Sequence, residues 1–524
     1  AVGLLVAIVA AVLLLSWQSQ SYLFTLMRKP PDVFADHASD IVARAVEASE
    51  ARDEVHFFDY DAPLWWRGSG GHPLPRARLI AMRPGIMHFV YRRSPQRMAP
   101  RETVQAANDI FIFASGRVTH DDPRLDVPGS AIVTLDQHGG LIEYRAHPSG
   151  RSATPNWRPL LDATGVDINT LVESTPAGTP PVASDARTAW SAAFRGQSER
   201  VRIEAASLNG QPAWLEVSGP WQAVESASEA PRRLAQATGV IYAVQLVLMI
   251  VFLIVAIVTT RRLLRRGRSD RAGALRLSLY YGGCLFLAWL IAAHHAIEAE
   301  DEARMFAAGL GEAAGSALVI WFFYIALEPG VRRTWPRSLI GWTRLLAGRF
   351  RDALVGREIL FGIAGGVVAA EGFWLVAAVR AWLHGGSLYF VKASSIDPLS
   401  VFIGDALISH VVSIAVAIGT IFICLFSRMA LGRIGGFVAF GLLIAGYAVV
   451  SPAVGVYMVI LMLLLFRVGV LSGAAMGATL SLLVASPLTL DPGAWYWPRA
   501  LAVLLIVVAA AAWAARTTVG SHQR

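Results

Sequence analysis

Four ionisable side chains lie inside long apolar stretches of the sequence, where they could carry a proton, pair with an ion or bind a polar ligand. They are Glu371, Asp405, His410 and Arg467. A charged group at the centre of a bilayer costs roughly 2.5–3.5 kcal/mol on insertion scales, so a functional role is the default interpretation. We therefore treat these four residues as intramembrane polar candidates.

Spacing limits how these candidates could act together. Asp405 and His410 are five residues apart, about 500° of helical turn, which disfavours a direct proton relay between them. Glu371 and Arg467 could pair between two helices. Alternatively, Arg467 could mark a cytoplasmic turn, where its long side chain would extend to place the charge in water. Two classes of protein use such residues: a transporter or channel, and a membrane-embedded enzyme with Glu371, Asp405 and His410 at its centre.

The stretches that hold these residues indicate the fold class. The chain has 524 residues, of which 55% are hydrophobic and 16% charged, whereas soluble proteins carry about 25% charged residues. A bilayer-spanning helix needs about 20 mainly apolar residues. We predict about ten spans, near Ala1–Leu15, Val240–Val258, Leu275–Ala293, Phe306–Leu327, Ile359–Val379, Val401–Phe426, Phe437–Val450, one or two passes in Ala453–Ala485, and Ala500–Ala515. GxxxG spacings at Gly311/Gly315, Gly362/Gly366, Gly432/Gly436 and Gly473/Gly477 predict close packing between helices.

One long segment has the composition of a water-facing domain. Residues 28–233 hold 23 basic and 25 acidic side chains, whereas the rest of the chain holds 23 and 13. Helical periodicity runs over Pro31–Val55, where Asp32 can cap. Two hairpins are predicted around Asp136–Gly140 and Asn209-Gly210, because glycine suits the positive φ of such turns. The fold class is therefore an integral membrane helical bundle with an α+β extracytoplasmic domain between its first and second helices.

The boundaries follow from these patterns. Ala1 opens inside an apolar run, so the first helix is expected to be truncated. The predicted parts are transmembrane helix 1 (residues 1–17), the α+β sensor-like domain (18–237), helix 2 (238–260), a basic loop (261–274), helices 3–4 (275–327), a basic amphipathic segment (328–358), helices 5–10 (359–515) and a tail (516–524).

The positions of the basic residues predict the orientation. Of the 23 Lys and Arg outside residues 28–233, 19 lie in alternate connections between spans, and such connections face the cytoplasm. Both termini are then cytoplasmic, and residues 18–237 are extracytoplasmic. The pI of about 9.8 therefore reflects topology, and nucleic acid is not an expected partner. The two cysteines, Cys284 and Cys424, lie in apolar runs and provide neither a disulfide framework nor a zinc site.

The basic segment 328–358 mixes arginine with large apolar residues at roughly helical spacing. Such a segment is typical of one that lies on a membrane surface, where each arginine near anionic lipid contributes about 1 kcal/mol. The alternative is a plain connecting loop whose arginines only fix the topology. The candidates for membrane-surface or coupling contacts are Arg337, Trp342, Arg344, Arg349, Arg351 and Arg357.

This segment and several others resemble the membrane region of a family of bacterial transmembrane serine/threonine protein kinases. The resemblance covers nearly the whole chain, although none of the matching motifs is catalytic. The matching stretches are Phe89–Pro95, Val133–Asp136, Ala326–Pro329, Arg332–Pro336, Leu339–Asp352, Val355–Glu358, Ser486–Pro492 and Ala494–Tyr496.

In that family a cytoplasmic kinase domain precedes the first span, and here the resemblance departs. These residues contain no glycine-rich phosphate loop, no His-Arg-Asp loop and no Asp-Phe-Gly motif. Phosphoryl transfer needs those parts to hold ATP and magnesium. We therefore expect no catalytic, cofactor-binding or metal-binding residue in this chain, and ATP and magnesium are implied only for a kinase domain outside it.

The resemblance implies the membrane-embedded sensor and regulatory portion of such a kinase, which would signal an extracytoplasmic cue to the catalytic domain. The alternative is a multi-spanning transporter or channel with an extracytoplasmic domain, although the sequence shows no inverted repeat of the kind that many transporters contain. The expected location is the bacterial cytoplasmic (inner) membrane. The expected partners are a bilayer with anionic lipids, an unidentified extracytoplasmic ligand and a second copy of the chain as a homodimer.

Overall fold

A computed structural model of the chain describes residues 27–45, 50–60, 81–101, 105–107, 111–113, 116–152, 154–197, 199–219, 230–267, 269–384 and 393–520. Within these ranges the chain forms an α+β domain followed by a helical region. Five helices of the helical region are long and apolar enough to cross a membrane. The protein is therefore a helical membrane protein that carries an α+β domain. The predicted first helix, residues 1–17, lies outside the described residues.

The α+β domain is built on an eight-stranded antiparallel sheet in the order β1-β2-β5-β6-β10-β9-β8-β7, and β3 and β4 pair separately. Its strands are β1 (Asp53–Tyr60), β2 (Met87–Ser94), β3 (Gln105–Ala107), β4 (Phe111–Phe113), β5 (Ala131–Asp136), β6 (Leu141–Ala146), β7 (Val172–Ser174), β8 (Ala186–Ala193), β9 (Arg200–Leu208) and β10 (Gln211–Ser218). Alternate residues of the central strands, such as Phe89, Tyr144 and Leu215, form a buried core on one face of the sheet.

Two helices cover that face, α1 (Pro31–Ala45) and α2 (Arg158–Thr164). Phe34 of α1 stacks on Phe89 of β2, with ring centroids 5.3 Å apart. The predicted helix over Pro31–Val55 is wrong at its end, because Asp53–Tyr60 pairs with β2 as a strand along its whole length. Asp32 lies within the first turn of α1, after Pro31, rather than before the helix.

Both predicted hairpins are confirmed. β5 pairs with β6 so that Ala131 lies opposite Ala146 and Leu135 lies opposite Leu141, and Gly139 in the turn has φ +87°. β9 and β10 pair on either side of Asn209 and Gly210, which have φ +53° and +72°. Asparagine and glycine tolerate this left-handed backbone better than other residues, so the Asn-Gly pair determines where the chain reverses.

The helical region follows the α+β domain. Its helices are α3 (Ala230–Arg265), α4 (Arg271–Ala292), α5 (Ala299–Thr334), α6 (Ile340–Leu346), α7 (Ala353–His384), α8 (Leu399–Val450), α9 (Pro452–Arg467), α10 (Val470–Val484) and α11 (Trp497–Gly520). Short 3-10 turns lie at Pro336–Leu339 and Ala393–Ser395, and another lies at Ile168–Thr170 in the domain.

Two of the predicted spans share α8, and two short helices fill the uncertain stretch Ala453–Ala485. α8 is interrupted at Gly432, whose φ of +75° is left-handed. The segment after Gly432 folds back, so that a Cβ at Gly436 would lie 2.7 Å from Cα of Arg428. α9 and α10 have 16 and 15 residues, about 24 and 22 Å of helix, and they pack against each other.

Only some of the GxxxG spacings bring helices together. On α7, a Cβ at Gly362 would lie 2.6 Å from the Ser472 carbonyl oxygen of α10, and a Cβ at Gly366 would lie 2.6 Å from the Met476 carbonyl oxygen. Gly311 and Gly315 of α5 meet nothing within 4 Å. α7 and α10 thus approach through their backbones, as small residues allow, whereas the α5 spacing reflects only the glycine-rich composition.

Candidate functional site

The α+β domain is attached to the helical region through carboxylates that the fold buries. Asp53 at the start of β1 is 4% exposed. It accepts hydrogen bonds from Arg97 Nη1 (2.9 Å), from the Met98 N–H (2.8 Å) and from Nε2 of His294, just beyond α4 (2.8 Å). Burial alone would raise the pKa of Asp53, but these hydrogen bonds and the neighbouring positive charges hold it below its usual value.

A second carboxylate comes from the helical region and reaches into the domain. Asp397, in the link between the Ala393–Ser395 turn and α8, accepts a hydrogen bond of 2.8 Å from the N–H of Phe58 in β1. Its side chain is 7% exposed. Burial raises the pKa of Asp397 to about 7, although Phe58 and the charge of Arg117 act in the opposite direction.

The third contact involves a predicted intramembrane residue. Asp405, in the second turn of α8, accepts a hydrogen bond from Arg117 Nη2 of the domain at 2.7 Å and one from Ser394 Oγ at 2.8 Å. Both charged side chains are about one-fifth exposed. Arg97 Nε also donates to the His295 carbonyl at 2.9 Å. We call these contacts between the domain and the residues His294, His295, Asp397 and Asp405 the docking interface. Asp405 belongs to it rather than to an isolated intramembrane site.

The other intramembrane candidates do not meet each other. His410 of α8 shares a hydrogen bond of 2.8 Å with the Tyr280 hydroxyl of α4. Neither carboxylate oxygen of Glu371 in α7 has a hydrogen-bond partner among the described residues. Gly372 lies against Val456 of α9, and Arg467 lies 11 residues farther along α9, about 16 Å away. The Glu371–Arg467 pair is therefore not formed, and Arg467 ends α9 as an exposed residue before the turn to α10.

The basic segment 328–358 does not form one long helix on the membrane surface. α6 is only seven residues long, and Trp342 is 3% exposed within the core of the helical region. Arg344 forms an ion pair with Asp352, Nη1 to Oδ1 at 2.8 Å, which closes the loop that follows α6. The remaining predicted candidates, Arg337, Arg349, Arg351 and Arg357, are exposed.

A buried carboxylate also packs closely against this segment. Glu358 in the first turns of α7 is fully buried. A Cβ at Gly341 of α6 would lie 2.3 Å from its Cδ, and a Cβ at Gly469, between α9 and α10, would lie 2.6 Å from its Oε2. Glycine at both positions therefore leaves the space that the Glu358 carboxylate occupies. Trp335 extends the contact by packing edge-on against Phe466 of α9, with ring centroids 4.8 Å apart.

A cavity of about 1000 Å³ lies beside these elements. Its wall is largely apolar, with aliphatic and aromatic side chains, and the Tyr280–His410 pair is part of it. Arg276 of α4 and the loop after α6 lie at one end, and Phe402 of α8 lies at the other. Neither Glu371 nor Asp405 lines the cavity.

The domain carries a network of charged residues on the sheet face opposite its core. His120 Nε2 lies 2.7 Å from Glu143 Oε2, and Arg145 donates to both Glu143 and Asp121. Burial alone would lower the pKa of His120, but the hydrogen bond and charge of Glu143 raise it. Burial and the same Glu143 charge raise the pKa of neighbouring Glu216. Among the described residues no group of three His, Cys, Asp or Glu is arranged to hold a metal ion.

Sequence reasoning missed Asp397 and Glu358, the two carboxylates that tie the parts together. Asp397 lies outside the apolar runs and gives no periodic signal. Glu358 belongs to a matching stretch, Val355–Glu358, yet its partner Gly341 is 17 residues away, and only the fold brings the two together. For Glu358 the available signal was the matching stretch itself, whereas no matching stretch lies near Asp397.

Comparison of this chain with protein-family models, with curated proteins and with solved structures finds no match.

We expect the stability of the whole chain to depend on pH through Asp397. Its pKa is about 7 in the folded protein and near 4 when unfolded, so rising pH ionises the unfolded state first. The stabilisation is complete below about pH 4 and is lost towards pH 7, at up to roughly 1.4 kcal/mol per pH unit.

Thermal unfolding in detergent from about pH 4 to 8 should therefore show wild type losing stability relative to Asp397→Asn. Asp59→Asn, which changes an exposed carboxylate next to Phe58 in β1, should track wild type. Parallel curves for wild type and Asp397→Asn would contradict the assignment.

Gly341→Ala should loosen the basic segment, because the new methyl group would overlap the Glu358 carboxyl group. We expect a loss of about 1–3 kcal/mol in unfolding free energy and faster amide hydrogen exchange in residues 340–346. Thr343→Ala on the same helix is the control, since its hydroxyl bonds only to the Ile340 carbonyl. Glu358→Ala in the Gly341→Ala background should recover part of the exchange protection, and strictly additive effects would show that the two residues do not interact.

Proposed function

We propose that this chain is the membrane-embedded sensor and regulatory portion of a bacterial serine/threonine protein kinase. It would relay an extracytoplasmic cue to a cytoplasmic kinase domain that these 524 residues do not contain. The motif resemblance of the sequence suggests the family, and the docking interface supports the mechanism. These residues would supply no part of the kinase catalytic site, because they lack the glycine-rich loop, the His-Arg-Asp loop and the Asp-Phe-Gly motif that hold ATP and magnesium in kinases.

The observation that carries the proposal is the burial of charged contacts between the domain and the helix ends. Asp53 contacts His294, just after α4. Phe58 contacts Asp397, just before α8, and Arg117 contacts Asp405, within α8. Buried charge pairs are costly to separate, because each partner would be left without compensation. A ligand that shifts the domain would therefore shift the ends of α4 and α8 with it, provided that it binds the two arrangements with different affinities.

The proposed topology has about ten spans, with the α+β domain outside the bacterial inner membrane and both termini in the cytoplasm. The positions of the basic residues support it. α4 begins at Arg271, whose guanidinium contacts the Leu264 carbonyl, and ends where His294 N–H donates to Gly116 of the domain. The arginine-rich connections and the domain thus lie at opposite ends of α4, as the positive-inside rule would require.

The cavity within the helical region is the observation that favours a transporter or channel instead. An ion or polar solute needs polar groups along its path, and the lining here is apolar except for a few polar side chains. Asp405 is engaged by Arg117, and Glu371 lies outside the cavity. The lining therefore argues against a path for an ion or polar solute, although it is not itself evidence for a sensor.

The topology predicts opposite labelling of two engineered cysteines in intact cells. In a background without Cys284 and Cys424, Glu298→Cys should react with a membrane-impermeant maleimide, because it begins α5 beside the domain. Arg351→Cys, in the basic segment, should react only after the cells are opened. Labelling of Arg351→Cys in intact cells would reverse the proposed orientation.

The proposed function predicts phosphoryl transfer from the product of the native gene, assayed in membranes with labelled ATP. Serine or threonine phosphate should appear on that product, and residues 1–524 alone should incorporate none. Asp397→Ala and Arg117→Ala should change the level about fivefold or more, in line with typical coupling between sites. Arg158→Ala, an exposed residue of α2, should leave it unchanged.

The outcomes separate the two parts of the proposal. A native gene product that transfers no phosphate would overturn the kinase assignment. Phosphate transfer that is equal in Asp397→Ala, Arg117→Ala and Arg158→Ala would retain the kinase but remove the docking interface from its regulation.

A further inference from the structure

The cavity of the helical region has the shape of a trough. α4 packs on α8, α8 on α10, α10 on α7 and α7 on α11, so these five helices form a row. The row starts at α4 and ends at α11, and both end helices line the cavity, α4 through Tyr280 and α11 through Ile506 and Ala510. The middle helices therefore form the floor, and the gap between α4 and α11 opens sideways. Ile506 on that rim is 57% exposed.

The interior of the trough suits a hydrocarbon chain. Leu277, Ile403 and Leu482 are typical of its lining. The Tyr280 hydroxyl and His410 Nε2 form a hydrogen bond with each other, which makes the wall less polar at this point. From Phe402 to Ile414 the trough follows α8 for 12 residues, about 18 Å, slightly more than half of a hydrocarbon core about 30 Å thick.

Exposed positive charge lies at the end beside α6. At the Phe402 end, Arg499 stacks over the Phe402 ring, 6.0 Å from its centroid, and donates to the Ser395 carbonyl. Arg276 is exposed at the α6 end, and its Nη1 donates to the Leu346 carbonyl at 2.8 Å, which holds the guanidinium at the mouth. Arg349 is exposed between Gly348 and Phe350, and both of these neighbours line the mouth. Basic pockets between transmembrane helices are typical sites for anionic lipid headgroups.

We propose that the trough binds one anionic phospholipid, with its phosphate at Arg276 and Arg349 and an acyl chain along α8 and α10. The apolar segment of residues 1–26 is the other candidate to fill a lateral trough. That segment contains no acidic residue, so it would leave both arginines without a counter-charge. An anionic lipid satisfies the apolar wall and the charged mouth together, and the proposal is independent of any kinase assignment.

Native mass spectrometry of the full chain in detergent, with added phosphatidylglycerol or phosphatidylcholine, tests the proposal. We expect one phosphatidylglycerol to be retained in preference to phosphatidylcholine. Ala510→Phe, which fills the trough, should lower this retention roughly tenfold. Ala509→Phe changes the exposed residue just before it in α11 and should match wild type. Arg276→Gln with Arg349→Gln should abolish the preference, whereas Arg333→Gln with Arg337→Gln, an equal loss of exposed charge, should preserve it.

Two results would overturn the proposal. Equal retention in Ala510→Phe and Ala509→Phe, or equal retention of the two lipids by wild type, would exclude a specific lipid in the trough. Efficient disulfide formation between Leu13→Cys and Ala510→Cys in membranes would show that the N-terminal segment occupies it instead. Neither result would bear on phosphoryl transfer by the native gene product.

Discussion

Removing carboxylates from water is the constraint on which this arrangement depends. Asp53 and Asp397 are almost fully buried at the junction of domain and helices, and Glu358 is buried where the basic segment meets α7. A carboxylate in such a place is tolerated only if donors or a proton compensate for the lost water. Asp53 has three donors, whereas Asp397 has one N–H and a pKa raised to about 7. The position of the domain thus depends on a few polar atoms whose partners come from the other part of the chain. Apolar contacts add to them, such as the stacking of Phe58 on Trp495, with ring centroids 6.1 Å apart.

α7 lies between two of these carboxylates. It carries Glu358 near its first residue, and Asp397 follows beyond its end. Between them, its glycines approach the α10 backbone too closely for any side chain to intervene. Because close backbone packing resists local rearrangement, a displacement at one end of α7 is expected to reach the other as a movement of the whole helix. That property suits a sensor better than a flexible linker would.

Features with local signals were predictable from the sequence. The hairpins at Gly139 and Asn209-Gly210 follow from turn chemistry, and the apolar helices follow from composition. The helix predicted to reach Val55 failed because pairing with β2 outweighs local periodicity. Trp342 lies in the core because α6 docks through Glu358, a contact between distant parts of the chain. Asp405 was identified by its type, but its partner Arg117, 288 residues away, could come only from the fold.

The contact between Phe58 and Asp397 has a consequence for the α+β domain itself. Among the described strands β1 is the last on its side of the sheet, so within those residues the N–H groups on its outer side have no neighbouring strand. Unpaired strand borders of this kind template sheet extension and aggregation unless something covers them. Here the Ala393–Ser395 turn and the Asp397 side chain cover that border. The helical region thus acts as a cap on the sheet, and a domain excised from its helices would present a border open to a strand from another molecule.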